Sequence, residues 1–167
     1  MKRTVLVILV LLVAAALQSR LSQPMGVFGV YPDFLIAATM AMALVIDPAL
    51  GALFGFAAGL AHGSIIGLSM GGFLISRTLL GFMVSSLRSW VFQDNPIVLL
   101  AAALLGTMVC EGLFFLIVPS RVQPSTLAQL PAESVYNAIL AIACYGLIRN
   151  PMRQEREPRR HGYLPPH

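Results

Sequence analysis

Long apolar stretches separated by short polar segments run along almost the whole chain. Six of them are candidate helices, covering residues 4–19, 32–46, 48–68, 72–90, 96–118 and 131–148. Because a helix needs about 20 apolar residues to cross a bilayer, this pattern predicts an all-α, polytopic membrane protein with about six transmembrane helices. The second stretch reaches only about 22 Å at 1.5 Å per residue, so we expect it to begin earlier or to thin the bilayer locally.

Prolines and polar caps mark several of the predicted helix ends. Four stretches begin with proline, which suits the first helical position because the missing N–H would have no helical partner there. Asp47 and Asn95 each precede such a proline and are predicted N-caps. Since only Asp47 separates the second stretch from the third, these two helices are predicted to form an antiparallel hairpin.

Glycines recur at every fourth position of the third stretch and just beyond it. They are Gly51, Gly55, Gly59, Gly63, Gly67 and Gly71. Each interior glycine costs roughly 1 kcal/mol against alanine in a water-exposed helix, whereas in lipid small residues let a second backbone approach closely. The first five of these glycines are therefore predicted to form a helix-packing interface. Four residues overshoot one turn by about 40°, which favours a crossing partner over a parallel one.

Composition and charge agree with a membrane protein. Apolar residues make up 57% of the chain and charged residues 11%, against about 25% charged in a soluble domain. With the N-terminus in the cytoplasm, the inner loops carry eight basic residues and the outer loops only Arg20 and Arg121, so both termini are predicted to be cytoplasmic. This topology accounts for the excess of positive charge, so the charge does not indicate a nucleic-acid partner.

The two ends of the chain leave one alternative open. Lys2 and Arg3 precede an apolar run and small residues, as in a signal peptide. A retained first helix is favoured because the run reaches about 16 residues. With that helix retained, the transmembrane domain is expected over residues 1–149. The segment at 150–167 is basic and polar, so it is expected to be a disordered cytoplasmic tail.

Four polar residues are predicted at similar depth inside the spans: His62, Arg77, Glu111 and Asn137. A charge facing lipid costs at least about 2.5 to 3.5 kcal/mol, so these side chains should meet inside the bundle. The structural interpretation is an Arg77–Glu111 ion pair braced by Asn137, and the functional one is a ligand or proton site. No arrangement typical of a catalytic site, a cofactor or a metal is predicted, because His62 has no second histidine near it.

Asp33 follows Pro32 at the start of the second helix. Its carboxylate complements the helix dipole there, so capping is the first interpretation and contact with a partner protein the second. The two cysteines, Cys110 and Cys144, lie in apolar stretches and are not predicted to pair.

The order of these features resembles the MreD family of bacterial rod shape-determining proteins. The resemblance rests on the Tyr31-Pro32-Asp33-Phe34 helix entry, the glycine-rich run Gly55-Phe56-Ala57-Ala58-Gly59-Leu60 followed by Gly67, and the sequence Asn137-Ala138-Ile139-Leu140. It covers residues 1–149. His62 departs from the family pattern, in which an acidic residue often follows the Gly-Leu pair.

This resemblance implies a nonenzymatic scaffold of the cell-elongation machinery in the inner membrane, where peptidoglycan is synthesised. Its implied partners are MreC, RodA with its transpeptidase, MreB directly or indirectly, and membrane lipid. The family is also similar in fold to the S components of energy-coupling-factor transporters. The alternative function is therefore substrate binding in a vitamin or metabolite transporter. The longest outer loop, at 119–130, argues against this alternative because it offers few side chains that could hydrogen-bond a substrate.

Overall fold

Helices make up nearly all of this computed structural model, which describes residues 2–88 and 95–154. The helices are α1 (Lys2–Leu21), α2 (Phe34–Ala43), α3 (Pro48–Ile66), α4 (Met70–Leu87), α5 (Pro96–Ile117) and α6 (Pro124–Gln154), with a 3₁₀ turn at Pro119–Arg121 before α6. All of them except α2 and the 3₁₀ turn are long and apolar enough to cross a membrane. The predicted all-α, polytopic membrane bundle is confirmed.

Helix α2 lies at the centre of the bundle. It has 10 residues, all of them buried, and it packs against each of the other five helices. At about 15 Å it is shorter than the second predicted span and begins later, so the expected earlier start is wrong. Because protein surrounds α2 on every side, this helix has no need to match the thickness of the bilayer.

Two of the predicted proline starts are also wrong. Pro48 and Pro96 do open α3 and α5, capped by Asp47 and Asn95 as predicted. Pro32, in contrast, lies before the Asp33 N-cap of α2. The sixth helix begins further upstream than expected, at Pro124, so that Pro131 lies inside it.

The extra turns of α6 come from a segment that was predicted to be an outer loop. Residues 119–130 form the 3₁₀ turn and the start of α6. Apolar patterning missed them because half of their side chains are polar and most are exposed. At its other end α6 runs to Gln154, past the predicted domain boundary at residue 149, and residues 155–167 of the predicted tail lie outside the described residues.

Helices α3 and α4 pack antiparallel with their backbones in close contact. A Cβ atom added at Gly51 or Gly55 would collide with the carbonyl oxygens of Gly81 or Arg77 on α4. One added at Gly59 would come within 2.5 Å of a third carbonyl on α4, and one at Gly63 within 2.9 Å of Met70. These four glycines, from here on the glycine stripe, therefore hold α4 against α3 along its length.

The glycine repeat does not continue as an interface beyond Gly63. Gly67 ends α3 in the left-handed conformation, at φ 73°, and an added Cβ would meet nothing within 4 Å at Gly67 or Gly71. Gly67 thus serves the turn into α4. Because a three-residue connection joins α3 to α4, the partner of the stripe is the next helix in the chain and runs antiparallel to it. The expected preference for a crossing partner stays a prediction.

Candidate functional site

A buried polar cluster surrounds the N-terminus of α2. At its centre, Asp33 Oδ1 accepts hydrogen bonds from the backbone N–H groups of Leu35 at 3.0 Å and Ile36 at 2.9 Å. Its second oxygen, Oδ2, lies 2.6 Å from Arg77 Nη2 and 3.2 Å from His62 Nδ1. One carboxylate thus caps the central helix and pairs with a cation from α4.

Arg77 is fully buried, and its main partner is Asp33. Glu111 Oε1 lies 3.5 Å from the same guanidinium nitrogen, and Ser76 Oγ accepts a hydrogen bond from Nη1 at 3.2 Å. The predicted Arg77–Glu111 pair is therefore a secondary contact. The correction follows from the central position of α2, which brings the capping carboxylate of Asp33 closer to the guanidinium than Glu111 comes.

Asn137 supports Asp33 and not the Arg77–Glu111 contact that it was expected to brace. Its Oδ1 accepts a hydrogen bond of 2.8 Å from the backbone N–H of Asp33. This bond joins α6 to the start of α2 across 104 positions of sequence. It satisfies a backbone donor that would otherwise be buried without a partner.

Aromatic rings form one wall of the cluster. The His62 ring stacks on Phe73 with centroids 4.3 Å apart, and Phe73 stacks in turn on Phe114 at 4.5 Å. The Arg77 guanidinium carbon lies 4.6 Å from the centre of the Phe73 ring, which is within cation–π range. His62 Nδ1 faces Asp33 Oδ2 at 3.2 Å, a contact that becomes an ion pair when the imidazole is protonated.

A cavity of about 350 Å³ opens from this cluster toward the bundle end where α3 ends and α4 begins. Besides Asp33, His62, Arg77 and Glu111, its wall includes five polar side chains that were not predicted for this site. They are Ser69, Arg121, Gln123, Thr126 and Glu133. Glu133 lies four residues before Asn137 on α6, so helical spacing alone could have placed it on the same face.

Pro32 and Asp33 were also expected to contact a partner protein. Both are buried within the chain, with Pro32 under 2% exposed and Asp33 4% exposed. Neither side chain lies on the outer surface of the bundle, because the segment between α1 and α2 packs against Pro32 and Asp33 faces the cavity. Ser22 Oγ, for example, donates a hydrogen bond to the Pro32 carbonyl. The expected partner contact is therefore not at these two residues.

Within residues 2–88 and 95–154, no group of three histidine, cysteine or acidic side chains is arranged to hold a metal ion. The cluster can hold helices together, and its cavity can admit a small molecule.

Comparison with known proteins gives one match. The family model described as rod shape-determining protein MreD matches residues 1–154. None of the curated proteins and none of the solved structures compared with the chain matches it.

Proposed function

Because the chain belongs to the MreD family and so has a role in rod shape determination, we propose that it is a nonenzymatic scaffold of the cell-elongation machinery. In this proposal it lies in the bacterial inner membrane with both termini in the cytoplasm. It holds membrane proteins that synthesise peptidoglycan in the geometry needed for elongation. MreC is the first proposed partner, with RodA, its transpeptidase and MreB joined directly or indirectly.

The way in which the buried polar cluster joins the helices supports a structural role. Each of five helices contributes one of its polar side chains: Asp33 for α2, His62 for α3, Arg77 for α4, Glu111 for α5 and Asn137 for α6. Charges taken from water are tolerated when they are paired, and such pairs can specify one arrangement of helices. A rigid arrangement is what a scaffold requires.

The glycine stripe is a helix-packing interface, but α4 already covers it. Partner proteins must therefore use another surface. The segment between α1 and α2 presents one candidate, because Phe28 is 98% exposed at the tip of a turn closed by Val27 and Val30. Its φ of 52° is uncommon for a residue with a side chain, and such strain is concentrated at functional positions. We assign the contact with MreC to this ring.

The substitution Phe28→Gly tests this assignment, because it removes the ring and also relieves the backbone. Copurification of MreC in mild detergent should fall about tenfold, the effect of losing one large buried apolar side chain. The melting temperature should stay the same or rise, since glycine adopts positive φ without strain. Ile97→Ala is the matched control, an exposed apolar residue at the opposite end of the bundle.

Undiminished capture of MreC by the Phe28→Gly protein would remove Phe28 from the interface. Recovery of an ATPase module in place of wall-synthesis proteins would overturn the scaffold and favour the transporter alternative. In a rod-shaped host, depletion of the protein should round the cells while the isolated wall-synthesis enzymes keep their activity.

A further inference from the structure

The geometry points to the cavity beside Asp33 as a binding site for a small zwitterion that carries a protonated primary amine and an anionic oxygen group. The phosphoethanolamine group has this chemistry, whether it is free or the headgroup of a lipid. This inference does not depend on the scaffold role, because it rests on the cavity alone.

The charges on the cavity wall call for a cation. Three carboxylates line it, from Asp33, Glu111 and Glu133, against the two guanidinium groups of Arg77 and Arg121. Asp33 takes the closer contact with Arg77, which leaves Glu111 at 3.5 Å. Among the described residues Glu133 has no ion pair. An ammonium group between Glu111 and Glu133 would supply the missing positive charge and donate to both carboxylates.

The same wall also calls for an acceptor. Arg77 Nε is buried and has no hydrogen-bond partner among the described residues. Buried polar groups are nearly always satisfied by protein, water or ligand, so this nitrogen points to an oxygen that is bound there in use. Arg121 is exposed and lines the mouth of the cavity, where it can meet an anionic group.

The dimensions and the aromatic wall fit such a ligand. The cavity volume of about 350 Å³ lies at the lower end of the range for small-molecule sites, roughly 300 to 1,000 Å³. Phe114 and Phe115 line it beside the carboxylates, and an aromatic face attracts a bound ammonium group.

The experiment measures binding to the full chain in a maltoside detergent by the rise in melting temperature during titration. One arm uses O-phosphoethanolamine and the other lysophosphatidylethanolamine. The controls are phosphocholine and lysophosphatidylcholine, which have the same charges but no N–H donor. The amine-bearing compound should bind about tenfold more tightly than its choline control, the effect of charge-assisted hydrogen bonds. If only lysophosphatidylethanolamine binds more tightly than its choline control, the ligand is a lipid headgroup. If O-phosphoethanolamine binds more tightly than phosphocholine, the ligand is a free small molecule.

Two variants locate the site. Glu111→Gln and Glu133→Gln should each reduce the preference for the amine about tenfold, whereas Asp47→Asn, which changes a carboxylate at the other end of the bundle, should keep it. If Glu111→Gln does not fold, the half-buried Glu133→Gln decides the question. Equal binding of amine and choline compounds by the unaltered chain, or an undiminished preference in Glu133→Gln, would overturn the proposal.

Discussion

Replacing Asp33 by asparagine separates the two tasks of this side chain. Asparagine is as good an N-cap as aspartate, so Oδ1 can still accept from the first N–H groups of α2. The negative charge that faces Arg77 at 2.6 Å is lost. Asp33→Asn therefore removes the ion pair and keeps the cap.

The expected cost follows from the burial of Arg77, which is 0% exposed. Removing one partner of a buried ion pair typically costs about 3 to 5 kcal/mol, since it leaves the other charge uncompensated. Glu111 at 3.5 Å still compensates part of the charge, so we expect about 3 kcal/mol. Glu111→Gln should cost less, about 1 kcal/mol, because Arg77 then keeps its closest partner.

Reversible unfolding of the full chain in mixed micelles, followed by circular dichroism at 222 nm, measures these differences. Asp47→Asn is the matched control, because it makes the same change at the N-cap of α3, outside the cluster, and should stay within about 0.5 kcal/mol of wild type. The double variant Asp33→Asn with Arg77→Met should recover much of the loss. If Glu111→Gln costs more than Asp33→Asn, then Glu111 is the main partner of Arg77 and the reasoning is refuted.

Two further predictions concern the contacts that hold α2, α3 and α4 in place. Gly55→Ala should destabilise the chain by about 1 to 3 kcal/mol, because the new methyl group collides with the backbone of α4, while Gly71→Ala should have no cost in the same unfolding assay. Equal stability of these two variants would contradict close packing at the stripe. Asn137→Leu should cost about 1 to 3 kcal/mol, since it leaves the Asp33 N–H buried without an acceptor. Faster hydrogen exchange at the start of α2 should accompany that loss, and unchanged exchange there would argue against the bond.

The interface of α3 shows how far local patterning reaches. The four-residue repeat of glycine predicts a close helix contact, because only a missing side chain allows it, and Gly51 to Gly63 do face α4. The same repeat cannot say where the contact stops. Gly67 and Gly71 continue the spacing, but Gly67 ends α3 and Gly71 already belongs to the first turn of α4.

The polar cluster shows the opposite limit. That a few polar groups in apolar spans should meet was predictable from the cost of exposing them to lipid. Which of these groups pair with one another was not predictable. Asp33 stands at a helix start, where its carboxylate is expected to cap the helix, and a capping carboxylate needs no distant partner. Only the position of α2 inside the bundle brings Arg77 to the free oxygen of that carboxylate.

The sequence by itself determined the membrane class, the helical content and the caps at Asp33, Asp47 and Asn95, because each depends on neighbours within one or two turns. The link between α2 and α3 is longer than the single residue expected, because α2 ends at Ala43. The tertiary structure alone decided that α2 is a buried central helix, that Arg77 pairs with Asp33, and that Glu133 and Arg121 border a common cavity. These outcomes depend on which helices surround which, a choice made by packing between segments far apart in the chain.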